Sequence, residues 1–266
     1  MKKPLWVIDK ERARRASARE TLWLFGLHAV RDALLNPRRE RLRLVVTPNA
    51  LDKLRDAVEA SGIEPEVSDP RTFAAPLDEG SVHQGAALEV RPLAWASLRD
   101  VTLAEGPRGD DGPARLVLLD RVTDPHNVGA ILRSSEVFGA RAVVGVERHA
   151  APETGSLAKA ASGALERQPY LRVRNLADAM EELRAMGVLL VGLDGDAGAE
   201  IVEALAGRLD RPLALVLGAE GEGLRDKTKA TCDLLVRLGA PRGAGSFGSL
   251  NVSNAAAVAL YASRAG

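Results

Sequence analysis

Three short segments in the C-terminal half concentrate the side chains that could do chemistry. In the first, Thr123-Asp124-Pro125-His126-Asn127 leads into a helical pattern that carries Arg133. Asp-Pro initiates turns, Asn127 is a residue type that caps helices, and Gly129 allows close backbone approach. A helix N-terminus facing a cleft, with an arginine just inside it, suits an anionic group such as a phosphate. An N-capped helix with a surface arginine is the plain alternative for the same residues.

The second segment is Gly218-Ala219-Glu220-Gly221-Glu222-Gly223, directly after an apolar run. Its order, G-x-x-G-x-G, is not the G-x-G-x-x-G of dinucleotide-binding turns. No basic cluster adjoins it to hold a pyrophosphate, and Glu220 and Glu222 would repel one. A ligand with a positive centre fits better, and S-adenosylmethionine, with its sulfonium and ammonium, is such a ligand. A Gly-rich turn with solvated glutamates is the plain alternative. The third segment runs from Gly243 through Ser249, Leu250 and Asn251 to Asn254 and opens an Ala-rich helix. Ser249, Asn251, Ser253 and Asn254 can all cap that helix. One is enough for structure, and the surplus of amides and hydroxyls points to a site.

Other chemistries find little support. No pair among His28, His83, His126 and His149 has metal-ligand spacing, so no metal site is expected. The single cysteine, Cys232, leaves no internal disulfide and no cysteine-based zinc site; TCDLLVRL predicts that it packs in a buried strand. No G-x-S-x-G nucleophile arrangement occurs. A nucleotide-dependent oxidoreductase needs a phosphate-binding glycine turn early in its sheet, and none is present.

The elements that must position these groups follow from hydrophobic periodicity. Short Val- and Leu-rich runs predict strands at Leu116–Leu119, Ala142–Val146, Val188–Leu193, Leu213–Leu217 and Leu234–Leu238. Helical patterns fall at Val128–Phe138, Ser156–Leu165, Leu176–Met186, Leu224–Ala230 and Val252–Ser263. Continuous apolar strands separated by helices predict an α/β fold, a mostly parallel sheet covered on both faces. Ahead of it, a helix at Phe25–Leu35, a strand at Arg41–Thr47, a helix at Leu51–Ala60 and strands at Ile63–Val67 and Ala86–Val90 predict a small α/β domain. The expected organisation is a basic arm over 1–20, a domain over 21–95, a Gly/Asp/Pro-rich linker over 96–114 and the larger domain over 115–266.

Composition sets the remaining bounds. The apolar fraction of 46% supports a sizeable core, and the formal net charge of zero argues neither for nor against a nucleic-acid partner. The charge is unevenly placed: residues 1–20 hold seven Lys or Arg against three acidic residues, net +4, which suits phosphate contact as well as a solvated terminus. No apolar stretch reaches the roughly 18 residues of a membrane span, and the N-terminus lacks the apolar core of a secretory signal. Cytoplasmic residence is expected.

The order DPHNVGAILRSSEVFGA, LVLGAEGEGL, SLNVSNAAAVALY resembles the three motifs of the SpoU (TrmH-type) branch of the SPOUT RNA methyltransferases. GLHAVRDAL and HQGAALEV resemble the small RNA-binding domain of the bacterial enzymes that methylate a guanosine ribose in large-subunit ribosomal RNA. The resemblance covers roughly residues 24–264. It implies a C-terminal trefoil knot, a homodimer, S-adenosylmethionine as cofactor and methyl transfer to a ribose 2′-oxygen of RNA. A transfer RNA substrate, or an RNA-binding relative without activity, would share these motifs. By the same resemblance Asn127, Arg133, Glu220, Ser249 and Asn251 line the catalytic site. Gly218, Leu238 and Leu250 contact the cofactor, with Leu217 and Gly223 beside them. The family usually has an Ile-Pro-Met run shortly before Ser-Leu-Asn; here the stretch from Leu238 to Ser249 is longer by about three residues.

Overall fold

The computed structural model describes residues 21–78, 80–104, 112–239 and 250–264. The basic arm over 1–20, the segment 105–111 and the stretch 240–249, which includes Ser249, lie outside the described residues. The chain divides into two units, one comprising 1–94 with 153–159 and the other 95–152 with 160–266.

The first unit holds β1 (Leu22–Phe25), α1 (Leu27–Leu35), β2 (Arg41–Val46), α2 (Pro48–Ser61), β3 (Pro65–Val67) and β4 (Ala86–Val90). Its sheet has the order β1-β4-β2-β3, antiparallel except for β2 against β3. α2 shows how local sequence sets an element. Thr47 caps it by accepting from Ala50 N–H, Pro48 starts it, and Gly62 ends it at φ +68. Phe25, expected in the first helix, instead closes β1 against Ala87. Gly26, at φ +90, separates the two elements.

The second unit begins with α3 (Leu98–Leu103), inside the stretch expected to be a linker. Ser97 caps α3, and Leu98 and Val101 are buried in the apolar core of this unit, so only the segment beyond it retains linker composition. Along the chain there follow β5 (Arg115–Asp120), α4 (Pro125–Val137), β6 (Ala142–Val146), α5 (Gly155–Ala161), whose residues up to 159 belong to the first unit, a 3-10 turn (Ala164–Glu166), β7 (Tyr170–Val173), α6 (Leu176–Ala185), β8 (Leu189–Leu193), β9 (Ala199–Glu200), α7 (Ile201–Leu205), β10 (Leu213–Gly218), α8 (Asp226–Thr231), β11 (Leu234–Arg237) and α9 (Val252–Ala262). The seven strands lie in the order β7-β6-β5-β10-β8-β11-β9 and every pair is parallel. Every residue of β5 and β6 is buried, as a sheet covered on both faces requires. Among the described residues no helix is long and apolar enough to cross a membrane.

Cys232 is not in a strand. It closes α8, and its Sγ lies 3.3 Å from the Thr228 carbonyl it donates to. Burial, with the nearby Asp233 charge adding to it, pushes the thiol pKa up to about 12. The thiolate is the reactive form, so Cys232 in the native protein is expected to resist iodoacetamide at pH 8 and to react readily once urea unfolds the chain. Equal labelling rates in the two states, followed by mass spectrometry, would contradict this placement.

Candidate active site

In an all-parallel sheet every strand ends on the same edge, where α/β proteins build their sites. Here the ends of β8, β10 and β11 and the first turn of α9 surround a cleft of about 610 Å³. Leu217, Gly218, Gly223, Leu238 and Leu250, the five positions expected to hold a cofactor, all line it, with Glu220 and Asn251. Asp194 and Gly195 after β8, and Arg237 at the end of β11, also line it. The motifs had not singled these out; their signal was only their place at the end of an apolar strand.

The Gly-rich loop is folded back on itself. Gly223 N–H donates to Ala219 O at 2.9 Å, with Gly221 at φ +81 and Gly223 at φ +69. A Cβ on Gly218 would lie 2.1 Å from the Gly223 carbonyl carbon, so position 218 admits only glycine if the loop keeps this closure. Asp120, fully buried at the end of β5, pins the loop's exit. It accepts from Arg225 N–H and Nε and from Thr228 Oγ1 at 3.2, 2.8 and 2.7 Å. A buried carboxylate is tolerable because this cation and these donors satisfy it.

The two loop glutamates divide. Glu222 turns to Arg121 at 3.3 Å and is not among the lining residues, whereas Glu220 faces the cleft. The acidic character inferred for the loop therefore reaches the cleft through Glu220, joined by Asp194 from the neighbouring strand.

Asn127, Glu220 and Asn251 meet. The Asn251 amide Nδ2 donates to Asn127 Oδ1 at 3.0 Å and to Glu220 Oε1. Its Oδ1 accepts from Ser253 N–H at 2.9 Å and Oγ at 2.6 Å, so Asn251 is the residue that caps α9. Asn127 is not the cap expected of it. Asp124 caps α4, accepting from His126 N–H at 3.0 Å, and Pro125 supplies the first helical residue, leaving Asn127 buried inside the first turn. The helix thus starts three residues earlier than the apolar pattern predicts. Arg133 stands apart: it is exposed, about one and two-thirds turns beyond Asn127 on α4, and not among the lining residues. Ser249 lies outside the described residues.

This triad yields a direct expectation. Asn251→Asp keeps the cap acceptor but removes both Nδ2 donors and sets a carboxylate against Glu220 and Asn127. Two carboxylates in contact hold a proton more tightly folded than unfolded, so stability should rise as pH falls. The melting temperature should fall by several degrees at pH 8 and recover part of the loss at pH 5. A variant melting like wild type at both pH values would show that the triad contributes nothing to stability.

Comparison with known proteins fits this geometry. Residues 114–261 match the model of the SpoU rRNA Methylase family, and residues 23–96 match that of RNA 2'-O ribose methyltransferase substrate binding. A 23S rRNA (guanosine-2'-O-)-methyltransferase RlmB of Ralstonia nicotianae is 38% identical over 90% of this chain and 93% of its own length. That of Bordetella pertussis is 44% identical over 70% of this chain and 72% of its own. Among solved structures, the SpoU methyltransferase AviRb from Streptomyces viridochromogenes in complex with the cofactor AdoMet superposes with a TM-score of 0.74 at 23% identity, over 95% of this chain and 91% of that one. The sequence match spans the parallel sheet and its cleft as well as the smaller unit, and it is long enough to settle descent: the chain belongs to the SpoU rRNA methylase family.

Proposed function

We propose that the protein transfers a methyl group from S-adenosylmethionine to the ribose 2′-hydroxyl of a guanosine in large-subunit ribosomal RNA. The observation that carries this reading is the near full-length similarity to enzymes named for that reaction, in a chain whose corresponding strand ends form a cleft.

The residues present fit the cofactor. The cleft is within the roughly 300–1,000 Å³ usual for small-molecule sites. Apolar walls from Leu217, Leu238 and Leu250 suit an adenine ring, and the loop backbone at Gly218 and Gly223 offers polar groups at close range. Glu220 supplies negative potential toward a cationic ligand, the charge of Asp194 being met by Lys229. When bound, S-adenosylmethionine supplies a methyl group already activated on a sulfonium.

The chain's own residues must then orient a weakly acidic hydroxyl and ease loss of its proton. Alignment alone is worth several kcal/mol. Asn251, whose amide hydrogens are spent on Glu220 and buried Asn127 and whose oxygen caps α9, fixes the position of Glu220 at the wall of the cleft. We assign Arg133 to the developing negative charge on the ribose oxygen and to an adjacent phosphate. An arginine guanidinium is a poor base but a permanent cation. A phosphate or water takes the proton. We assign Ser249 to the same site on the family pattern.

The reading brings with it a C-terminal trefoil knot, a homodimer, cytoplasmic residence and the division into RNA-binding and methyltransferase domains. Exposed Val137, Val258 and Tyr261, on two helices that pack on each other, support self-association. In the smaller unit, Phe73 stacks on His83 at 4.1 Å, an aromatic feature suited to splayed RNA. Ribose-methylation mapping of ribosomal RNA from a strain lacking the gene tests the proposal. One 2′-O-methyl lost from a guanosine of the large-subunit RNA, restored by the purified protein and S-adenosylmethionine, is the expected result. An unchanged methylation map would overturn it.

A further inference from the structure

We propose that Arg237 is a cofactor-recognition residue whose guanidinium binds the carboxylate of S-adenosylmethionine's amino-acid end. The proposal rests on the cofactor reading above and adds to it a named contact. Arg237 is the last residue of β11 and the only cation among the described residues lining the cleft. Every other charge there, Asp194 and Glu220, is negative. A cleft built only for a cation would need no arginine. The proposed ligand carries two positive centres and one carboxylate; with Asp194 paired to Lys229, Glu220 is left to face the positive charge and Arg237 the carboxylate.

The hydrogen bonding of Arg237 points the same way. Nη1 donates to Gly239 O at 3.0 Å, which holds the guanidinium at the strand end. Nε is buried and has no hydrogen-bond partner among the described residues. Buried donors are nearly always satisfied, so this unpaired one is relieved if the guanidinium turns its Nε edge toward a ligand acceptor in the cleft. Neighbouring acids are occupied elsewhere. Glu200, opposite Arg237 in the ladder, accepts from Val202 N–H at 2.8 Å, and Asp194 pairs with Lys229 at 2.7 Å. The planar guanidinium fork is also the group best shaped for a carboxylate.

Four calorimetric titrations test this: wild type and Arg237→Ala, each with S-adenosylmethionine and with decarboxylated S-adenosylmethionine, which lacks only the carboxylate. Wild type is expected to prefer the carboxylated ligand by about tenfold or more, the loss expected for one charge-assisted contact. Arg237→Ala should bind both ligands equally, with affinity for the decarboxylated one within about threefold of wild type. Arg237→Lys, which keeps charge but not the fork, should retain part of the preference. If Arg237→Ala keeps the full preference, the carboxylate is read elsewhere, for instance by the N-terminus of α9, and the proposal fails. It also fails if both ligands weaken equally in Arg237→Ala, or if wild type shows no preference. Wild type binding neither ligand would instead overturn the cofactor reading and take this contact with it. Should Arg237→Ala fail to fold, Arg237→Lys carries the comparison, and an undiminished preference in that variant overturns the proposal.

Discussion

Arg133→Ala is expected to lower kcat by about two to three orders of magnitude, with affinity for RNA and for S-adenosylmethionine within about threefold of wild type. Loss of a donor aimed at developing charge acts on the transition state and leaves ground-state binding nearly untouched. Stability should barely change, because Arg133 is exposed and has no hydrogen bond or ion pair among the described residues. Arg133→Lys should recover part of the rate, since an ammonium keeps the charge without the fork. The profile of log kcat against pH separates the two roles open to an arginine. As electrostatic stabiliser an arginine acts as a permanent cation, so log kcat is expected to stay flat between pH 7 and 10. A base would give a rate climbing tenfold per pH unit over that range. Near wild-type single-turnover rates in Arg133→Ala would remove this residue from the chemistry.

Gly218→Ala should be the most damaging single methyl group in the site. The added Cβ would sit 2.1 Å from the Gly223 carbonyl carbon, 2.3 Å from its oxygen and 2.3 Å from Leu224 N. All three are backbone atoms, and moving them breaks the Gly223 N–H to Ala219 O closure and strains the Asp120 anchor at Arg225. Overpacking of this kind costs about 1–3 kcal/mol or more. The expected outcome is a lowered melting temperature together with at least a tenfold loss of cofactor affinity by calorimetry. Gly221→Ala is the control: it meets nothing within 4 Å and suffers only the positive φ, so its loss of affinity should be smaller. Equal affinities for Gly218→Ala and wild type would mean that the loop closure does not shape the cleft.

Much of the architecture was legible. Ala142–Val146 and Ala86–Val90 match the predicted strands residue for residue, and the other strands of the parallel sheet expected from their apolar runs agree within a residue at either end. Fully buried strands announce themselves as unbroken apolar runs. What the pattern missed is short or at an edge: β1, β7, the two-residue β9 and the five-residue α7. A strand with one neighbour is half exposed and carries a mixed pattern, as Arg172 in β7 does. α3 was obscured because helical Leu98–Leu103 adjoins a glycine–aspartate run whose composition dominates any window across it. The start of α4 was misplaced because its capping comes from Asp124 and Pro125, polar turn residues that periodicity does not count.

Local chemistry was thus determined by the chain itself. Residue type and spacing alone specified a Gly-rich turn with acids, an asparagine able to cap α9 and a mostly parallel sheet to carry them, because these depend on φ preferences, hydrogen-bonding capacity and period. Which side chains meet was decided only by the tertiary structure. Asn127 and Asn251 are 124 residues apart and touch because α4 and α9 pack together. Glu220 faces the cleft while Glu222, two residues on, turns to Arg121. Asp194 and Arg237 join the site because β8 and β11 are neighbours in the sheet, an adjacency that strand order imposes and no local pattern encodes.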